Sequence, residues 1–203
     1  VYKRQGTHNP NTQREHKLVG GSWDKNATLR QVNEALSKKF GVEGKYFNAS
    51  VGFSLYLDHA FLAQNNLDIE AVKAAAIVEL KKVPELITAV DYEKAAVAPL
   101  PQWIRERIIN GYYQGRSGDI YAVVKANYFD WNVKPGFYGS THGSWNPADT
   151  HIPLIFMGWN VKPGKTTRLT NMVDTAPTVC AMLHVQAPDA STGNPIVEVV
   201  DQK

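Results

Sequence analysis

A single stretch, Gly136 to Trp159, limits the possible folds more than any other part of the sequence, because a polar loop there runs directly into an apolar segment. The loop, Gly139 to Asp149, is rich in glycine and carries His142. The apolar segment, Ile152 to Met157, predicts a buried strand. Such a loop beside a buried strand is typical of the site of an α/β enzyme.

The residue types in this loop are those that bind divalent metals. His142 offers an imidazole nitrogen and Asp149 a carboxylate oxygen, both of which zinc accepts. Glycines at positions 139 and 143 let the backbone turn and approach an ion closely. His142 and His151 alone form no metal motif, however, and a solvated or capping loop is the alternative interpretation.

Apolar periodicity along the rest of the chain predicts alternating helices and strands. The predicted helices cover about 28–40 with a capping box at Thr28, 69–83 after Asp68, 101–113, and 175–183 capped by Asp174. The predicted strands cover 46–57 as a hairpin, 86–90, 120–129, 152–157, 166–172 and 196–200. The segment Gly6–Trp23 is predicted to be an irregular loop. This alternation indicates an α/β fold with a predominantly parallel core sheet.

Composition and charge exclude several classes of function. The 203 residues suffice for one large domain or part of one, and 43% of them are apolar. The net charge is +3 and its Lys and Arg residues are scattered, so no nucleic-acid surface is predicted. No apolar run is long enough to span a membrane. Lys73 is predicted on a solvated helix face, and Cys180 as a small core residue.

The other histidines lack the context of a metal site. His8 and His16 lie in the predicted N-terminal loop with no preceding Asp, which favours solvated side chains or residues at the rim of a site. The Asp58-His59 dipeptide follows a predicted strand and is interpreted as a turn.

Four motifs follow one another along the chain: Thr141-His142-Gly143, the run from Asp149 to Pro153, Asp174-Thr175-Ala176-Pro177-Thr178, and Gly193-Asn194-Pro195. In their order and spacing they resemble the C-terminal end of the alkaline phosphatase superfamily. The branch they resemble most is that of the zinc-dependent alkaline phosphatases grouped with type I phosphodiesterases and nucleotide pyrophosphatases. The resemblance is strongest from Gly136 to Val197.

The resemblance implies how the chain is organised. Residues 6–203 would be the C-terminal part of one alkaline phosphatase-like sandwich, with a mostly parallel sheet flanked by helices. Residues from about 42 to 118 would form a small inserted α+β subdomain. Residues 1–5, Val-Tyr-Lys-Arg-Gln, back-translate to the end of a common sequencing adapter. We interpret them as an artefact on a fragment whose natural chain would continue upstream.

The resemblance also implies a chemistry, the hydrolysis of phosphate esters at two zinc ions by an upstream Thr or Ser nucleophile. His142 matches the last zinc ligand of the family in chain order. Asp149 would support the loop as an acceptor of hydrogen bonds. His151 is the second candidate ligand, and Thr141 a hydrogen-bonding residue of the loop. With no nucleophile in the chain, the isolated fragment is expected to be inactive.

Several alternatives remain open at this point. A phosphate monoesterase ranks first, a phosphodiesterase or nucleotide pyrophosphatase second and a sulfatase third. A carbohydrate-binding module is an alternative of another class, supported by Trp131, Trp145 and Trp159 around the loop. The family implies a periplasmic or secreted protein. The natural substrate and the oligomeric state stay open.

Overall fold

The computed structural model describes residues 6–158 and 161–201, so the adapter-like residues 1–5 lie outside the described residues. The chain divides into two compact units, Val1–Ile152 and Pro153–Lys203. The first unit contains α1 (Pro10–Glu15), β1 (Gly21–Ser22), α2 (Lys25–Phe40), β2 (Phe47–Val51), β3 (Ser54–Leu57), α3 (His59–Gln64), α4 (Ile69–Leu80), β4 (Leu86–Asp91), α5 (Gln102–Asn110), β5 (Ile120–Val124), β6 (Tyr128–Phe129) and α6 (Pro147–Thr150). The second contains α7 (Thr175–Leu183) and α8 (Val197–Val200).

A four-stranded sheet in the order β2-β3-β5-β4 forms the centre of the first unit, and every neighbouring pair in it is antiparallel. Ala122, Val123 and Val124 of β5 are completely buried. A strand apolar on both faces belongs inside a sheet, so the prediction for this segment is confirmed over Ile120–Val124. The backbone then turns at Asn127, where φ is 62°, and continues as β6.

Parallel pairing is found between β1 and β6. The predicted α/β class is confirmed, but among the described strands antiparallel pairs predominate, where a mostly parallel sheet was predicted. The turn at Gly52 and Phe53 gives the reason for β2 and β3, because a two-residue connection can join only antiparallel neighbours. The inserted subdomain over about 42–118 stays a prediction.

Two capped helices pack on the sheet. The carboxylate of Asp24 accepts a hydrogen bond from Ala27 N at 2.9 Å and starts α2, whereas the Thr28 hydroxyl accepts the Trp23 indole N–H at 2.9 Å. The predicted start of α2 at Thr28 is therefore wrong by one turn. Asp68 caps α4 as predicted. The core they enclose includes Val32, Leu36, Leu55, Leu57, Val72, Ala76, Leu80 and Ile120. Within the described ranges, no helix is both long and apolar enough to cross a membrane.

The prediction for Ile152–Met157 is wrong, because no described strand pairs with this segment. Ile155 is 79% exposed and Met157 is 92% exposed. A strand forms only where another backbone satisfies its N–H and C=O groups, so an apolar sequence alone does not make one. The predicted strand at 166–172 is absent for the same reason, and 196–200 contains the short helix α8 instead.

Helix α7 has the predicted extent, but Asp174 does not cap it with its side chain. The carboxylate instead accepts hydrogen bonds from Asn171 N at 2.7 Å and Asn194 N at 2.9 Å. Asp174 therefore ties the Gly193-Asn194-Pro195 segment to the start of α7 within the second unit.

Lys73 was predicted on a solvated face, and this is wrong: it is only 4% exposed. Its ammonium lies 3.0 Å from Asp91 and 2.9 Å from Glu93, and also pairs with Glu70. Burial alone would lower the pKa of Lys73, but the hydrogen bonds that its ammonium donates to these carboxylates outweigh burial and raise the pKa. Lys73 therefore stays charged throughout the neutral range.

Replacing Lys73 by Met should cost about 3–5 kcal/mol in the free energy of unfolding, because Asp91 would be left buried without its main counter-charge. Urea denaturation of the protein measures this cost. Adding Asp91→Asn should recover part of the loss.

Lys82→Met is the matched control, since Lys82 pairs with Glu79 on an exposed part of the same helix region. It should cost less than about 1 kcal/mol. A Lys73→Met variant as stable as the Lys82→Met variant would contradict the assigned role of the buried ion cluster.

Candidate functional site

The loop that carries His142 connects β6 to the short helix α6. His142 is exposed on this loop. The next residue, Gly143, has a φ of +106°, a conformation that residues with a side chain rarely adopt. The sequence Thr141-His142-Gly143 therefore turns sharply directly after the imidazole.

The buried carboxylate of Asp149 fixes the backbone of this loop. It is only 8% exposed, and its Oδ2 accepts hydrogen bonds from Gly143 N and, at 2.6 Å, from Ser144 N. Asn146 caps α6, whose backbone carries Asp149, by accepting a hydrogen bond from Ala148 N at 2.8 Å. One carboxylate thus fixes the two peptide groups that follow His142.

Trp145 attaches the same loop to the central sheet. Its indole N–H donates to the Val124 carbonyl at the end of β5, at 2.7 Å. Its ring packs against Trp103, with ring centroids 5.4 Å apart. Asn146 adds a side-chain hydrogen bond of 3.2 Å to Asn127. The position of the loop is therefore set by a strand that is itself completely buried.

The N-terminal segment lies against the other side of the loop. Thr7 N donates to the Thr141 carbonyl at 2.7 Å, in an isolated antiparallel bridge. A Cβ added to Gly6 would lie 2.7 Å from Ser140 Oγ, so only glycine fits this approach. Gly6 and Thr7 therefore lie beside Ser140 and Thr141, the two residues directly before His142.

The prediction that Gly6–Trp23 is an irregular loop is wrong, because the segment contains α1 and β1. Asn9 followed by Pro10 is the signal that sequence reasoning missed: an N-cap residue followed by Pro at the first helical position. His8 and His16 are exposed in this region.

The remaining predicted residues occupy different positions. His151 is exposed directly after α6, and its backbone N–H donates to the Pro147 carbonyl at 2.9 Å. The Thr141 hydroxyl lies 3.5 Å from the His142 carbonyl. Asp58-His59 is not a turn, since Asp58 caps α3 and the His59 ring pairs with Asp119 at 2.8 Å.

The described residues contain one other group of possible metal ligands, Glu70, Asp91 and Glu93. The ammonium of Lys73 pairs with all three carboxylates, and that of Lys94 pairs with two of them, so the group already has protein counter-charges. Two clefts of about 400 and 630 Å³ also lie away from the loop, since neither has His142 in its lining. Neither the acidic group nor these clefts compete with the loop as the candidate site.

The residues of the loop are suited to supplying one metal ligand, the imidazole of His142. His142 presents an imidazole on a backbone that Asp149 fixes, as a metal-binding histidine needs. Two buried hydroxyls, Thr7 Oγ1 beside the loop and Ser144 Oγ within it, have no hydrogen-bond partner among the described residues. Within 6–158 and 161–201, no group of three close ligands includes His142.

Among the described residues, the two tryptophans named around the loop pack against other aromatic side chains. Trp145 is tied to Val124 and packs on Trp103. Trp131 packs against Phe129 and Phe137, with centroid distances of 4.9 and 6.3 Å. Trp159 lies outside the described residues. The carbohydrate-binding alternative stays a prediction, and the packing of Trp131 and Trp145 gives it no added support.

Comparison with known proteins gives relatives that are mostly phosphatases, although no family model matches the chain. It is 42% identical over 195 residues to a protein of Myroides odoratus named calcium-transporting ATPase, covering 96% of this chain and 35% of the relative. It is 35% identical to alkaline phosphatase PafA of Elizabethkingia meningoseptica, covering 91% and 33%. It is 42% identical to alkaline phosphatase PhoV of Synechococcus elongatus, covering 66% and 24%.

Solved structures give the same result for the fold. The crystal structure of wild-type alkaline phosphatase PafA superposes with a TM-score of 0.88 and 34% identity, over 97% of this chain and 36% of that one. A mutant of PafA gives a TM-score of 0.87. The chain thus spans about a quarter to a third of the length of the proteins it matches. On sequence and fold together, the chain belongs to the alkaline phosphatase superfamily.

Proposed function

We propose that this chain is the C-terminal part of a metal-dependent phosphate monoester hydrolase, in which His142 supplies one metal ligand. The observation that carries the proposal is an exposed imidazole on a loop whose backbone is fixed by a buried carboxylate, in a chain similar to two alkaline phosphatases. The rest of the site would come from the part of the protein that precedes Gly6.

Zinc is the metal we propose, with two ions in the complete site. Imidazole and carboxylate ligands suit zinc, and the family resemblance implies a pair of ions. When bound, the metal supplies stabilisation of negative charge on the phosphoryl oxygens. Within this chain, His142 holds one ligand position, while Asp149 keeps the peptide groups after it in place.

The nucleophile would lie outside this chain. Ser144 Oγ is buried, so it cannot reach a phosphate ester from solvent. Thr141 is partly buried, and its hydroxyl faces the neighbouring carbonyl of His142. We therefore expect the isolated 203 residues not to hydrolyse phosphate esters at rates typical of enzymes.

A phosphate monoester is the substrate class we rank first, because two of the three relatives are named alkaline phosphatases. A phosphodiesterase or nucleotide pyrophosphatase is the second candidate, since the residues that separate these activities would lie in the remainder of the protein. The Myroides relative is named a calcium-transporting ATPase, and the hydrolysis of ATP is also the transfer of a phosphoryl group to water. For the complete protein we propose a periplasmic or secreted location.

Replacing His142 by Ala in the full-length protein should remove one metal ion and lower kcat/KM for a phosphate monoester at least about a hundredfold, because a ligand is lost. Metal content by mass spectrometry and hydrolysis of p-nitrophenyl phosphate are the two measurements. A bis-p-nitrophenyl phosphate assay distinguishes the diesterase alternative, which would show the higher kcat/KM on that substrate.

His151→Ala is the matched control, since His151 is also exposed and lies nine positions further along the same loop region. It should retain both metal content and activity. If the His151→Ala variant lost the metal and the His142→Ala variant kept it, the ligand assignment would be reversed.

Replacing Asp149 by Ala should cost roughly 1.5–3 kcal/mol in the free energy of unfolding, because its charge-assisted hydrogen bonds to Gly143 and Ser144 are lost. The metal dissociation constant should rise about 10–100-fold. Asp149→Asn keeps an acceptor of the same shape and should show smaller changes in both. Denaturation and chelator competition measure the two effects, and equal metal affinity in all three proteins would refute the supporting role.

A further inference from the structure

Two asparagine side chains connect the start of α1 to the strap Lys134–Gly139, which we define as the segment leading into the His142 loop. Asn9 Nδ2 donates to the Phe137 carbonyl at 3.0 Å and to the Gly139 carbonyl at 2.8 Å. Asn11 Nδ2 donates to the Lys134 and Phe137 carbonyls, both at 3.0 Å. Four hydrogen bonds thus join segments more than 120 positions apart in the sequence.

Each amide also has a second, local function. Asn9 Oδ1 accepts from Asn11 N at 2.8 Å and from Thr12 N at 3.3 Å, which caps α1. Asn11 is 6% exposed, and its Oδ1 accepts from Arg14 at 3.2 Å. An amide is suited to this arrangement because it combines an acceptor with two N–H donors, whereas a carboxylate would repel the strap carbonyls.

The geometry points to Asn9 and Asn11 as positioning residues. They fix the position of the His142 loop relative to the N-terminal segment that begins at Gly6. The strap runs directly into Ser140 and Thr141, and Thr141 is bonded to Thr7. The loop is therefore joined to the N-terminal segment at the Thr7 bridge and again at the strap. This inference rests on the proposed function, since it requires a metal that binds both His142 and groups from the preceding chain.

Metal geometry explains why the loop and the N-terminal segment would have to be held together by these asparagine hydrogen bonds. Ligand distances to zinc vary by only a few tenths of an ångström, so segments distant in sequence must be held at a fixed separation. Asp149 and Trp145 bond to the loop backbone and to the sheet of the first unit. Among the described residues, the connection to the N-terminal segment comes from the Thr7 bridge and from the two asparagines.

The test uses the full-length protein with Asn9→Ser, Asn11→Ala and the double variant. Serine keeps an oxygen that caps α1 and loses the donors to the strap, so the helix is retained. We expect the zinc dissociation constant to rise about tenfold or more in chelator competition, and the visible absorption of the cobalt-substituted protein to change. We also expect kcat to fall while KM stays near its original value.

Asp68→Ala is the control for a general loss of stability. It removes the cap of α4, a hydrogen bond of 2.7 Å to Ala71 N, at a cost of about 1 kcal/mol and without contact with the strap. Metal affinity and the cobalt spectrum should stay unchanged in this variant.

The outcomes separate the positioning role from the proposed function. If the wild-type protein binds zinc through His142 and the asparagine variants match it in affinity and spectrum, the positioning role is overturned alone. If the wild-type protein takes up no metal, the proposed function is overturned and the positioning role with it. Loss of affinity in the asparagine variants, with an unaffected Asp68→Ala variant, supports the inference.

Discussion

The hydrogen bonds from Gly143 N and Ser144 N to the Asp149 carboxylate are the interaction on which the candidate site depends. They fix the backbone directly after His142, where a glycine with a φ of +106° would otherwise allow many conformations. Because Asp149 is buried, water competes weakly for these donors. An imidazole on such a fixed loop can bind a metal without first losing the conformational entropy of the loop.

The His142 loop is also connected to two other parts of the first unit, the central sheet and the N-terminal segment. Trp145 bonds to the end of the buried strand β5, so the loop has a rigid attachment to the sheet. Thr7 bonds to Thr141 on the opposite side, and the amides of Asn9 and Asn11 hold the preceding strap. Under the proposed function, this arrangement would hold one metal ligand in place within a chain that spans about a third of the length of two of its relatives.

Sequence patterns predicted the parts of the fold that depend on local chemistry. The apolar run 120–129 predicted a strand, which β5 confirms over Ile120–Val124, and Asp68 predicted the start of α4. The failures depend on distant partners. Lys73 is buried only because β4 and the turn after it bring Asp91 and Glu93 to its ammonium. Ile152–Met157 has the composition of a strand but no described partner strand. The hydrogen bonds of Asn9 and Asn11 to the strap join residues over 120 positions apart, and a local sequence pattern cannot predict such contacts.

An anomalous difference map at the zinc absorption edge, from crystals of the full-length protein, is the most direct test of the central claim. The account predicts a peak about 2.0–2.1 Å from an imidazole nitrogen of His142, with the remaining ligands supplied by the chain outside these 203 residues. A catalytically active protein with its zinc peaks away from His142, or with none, would contradict the claim that this loop is part of the metal site.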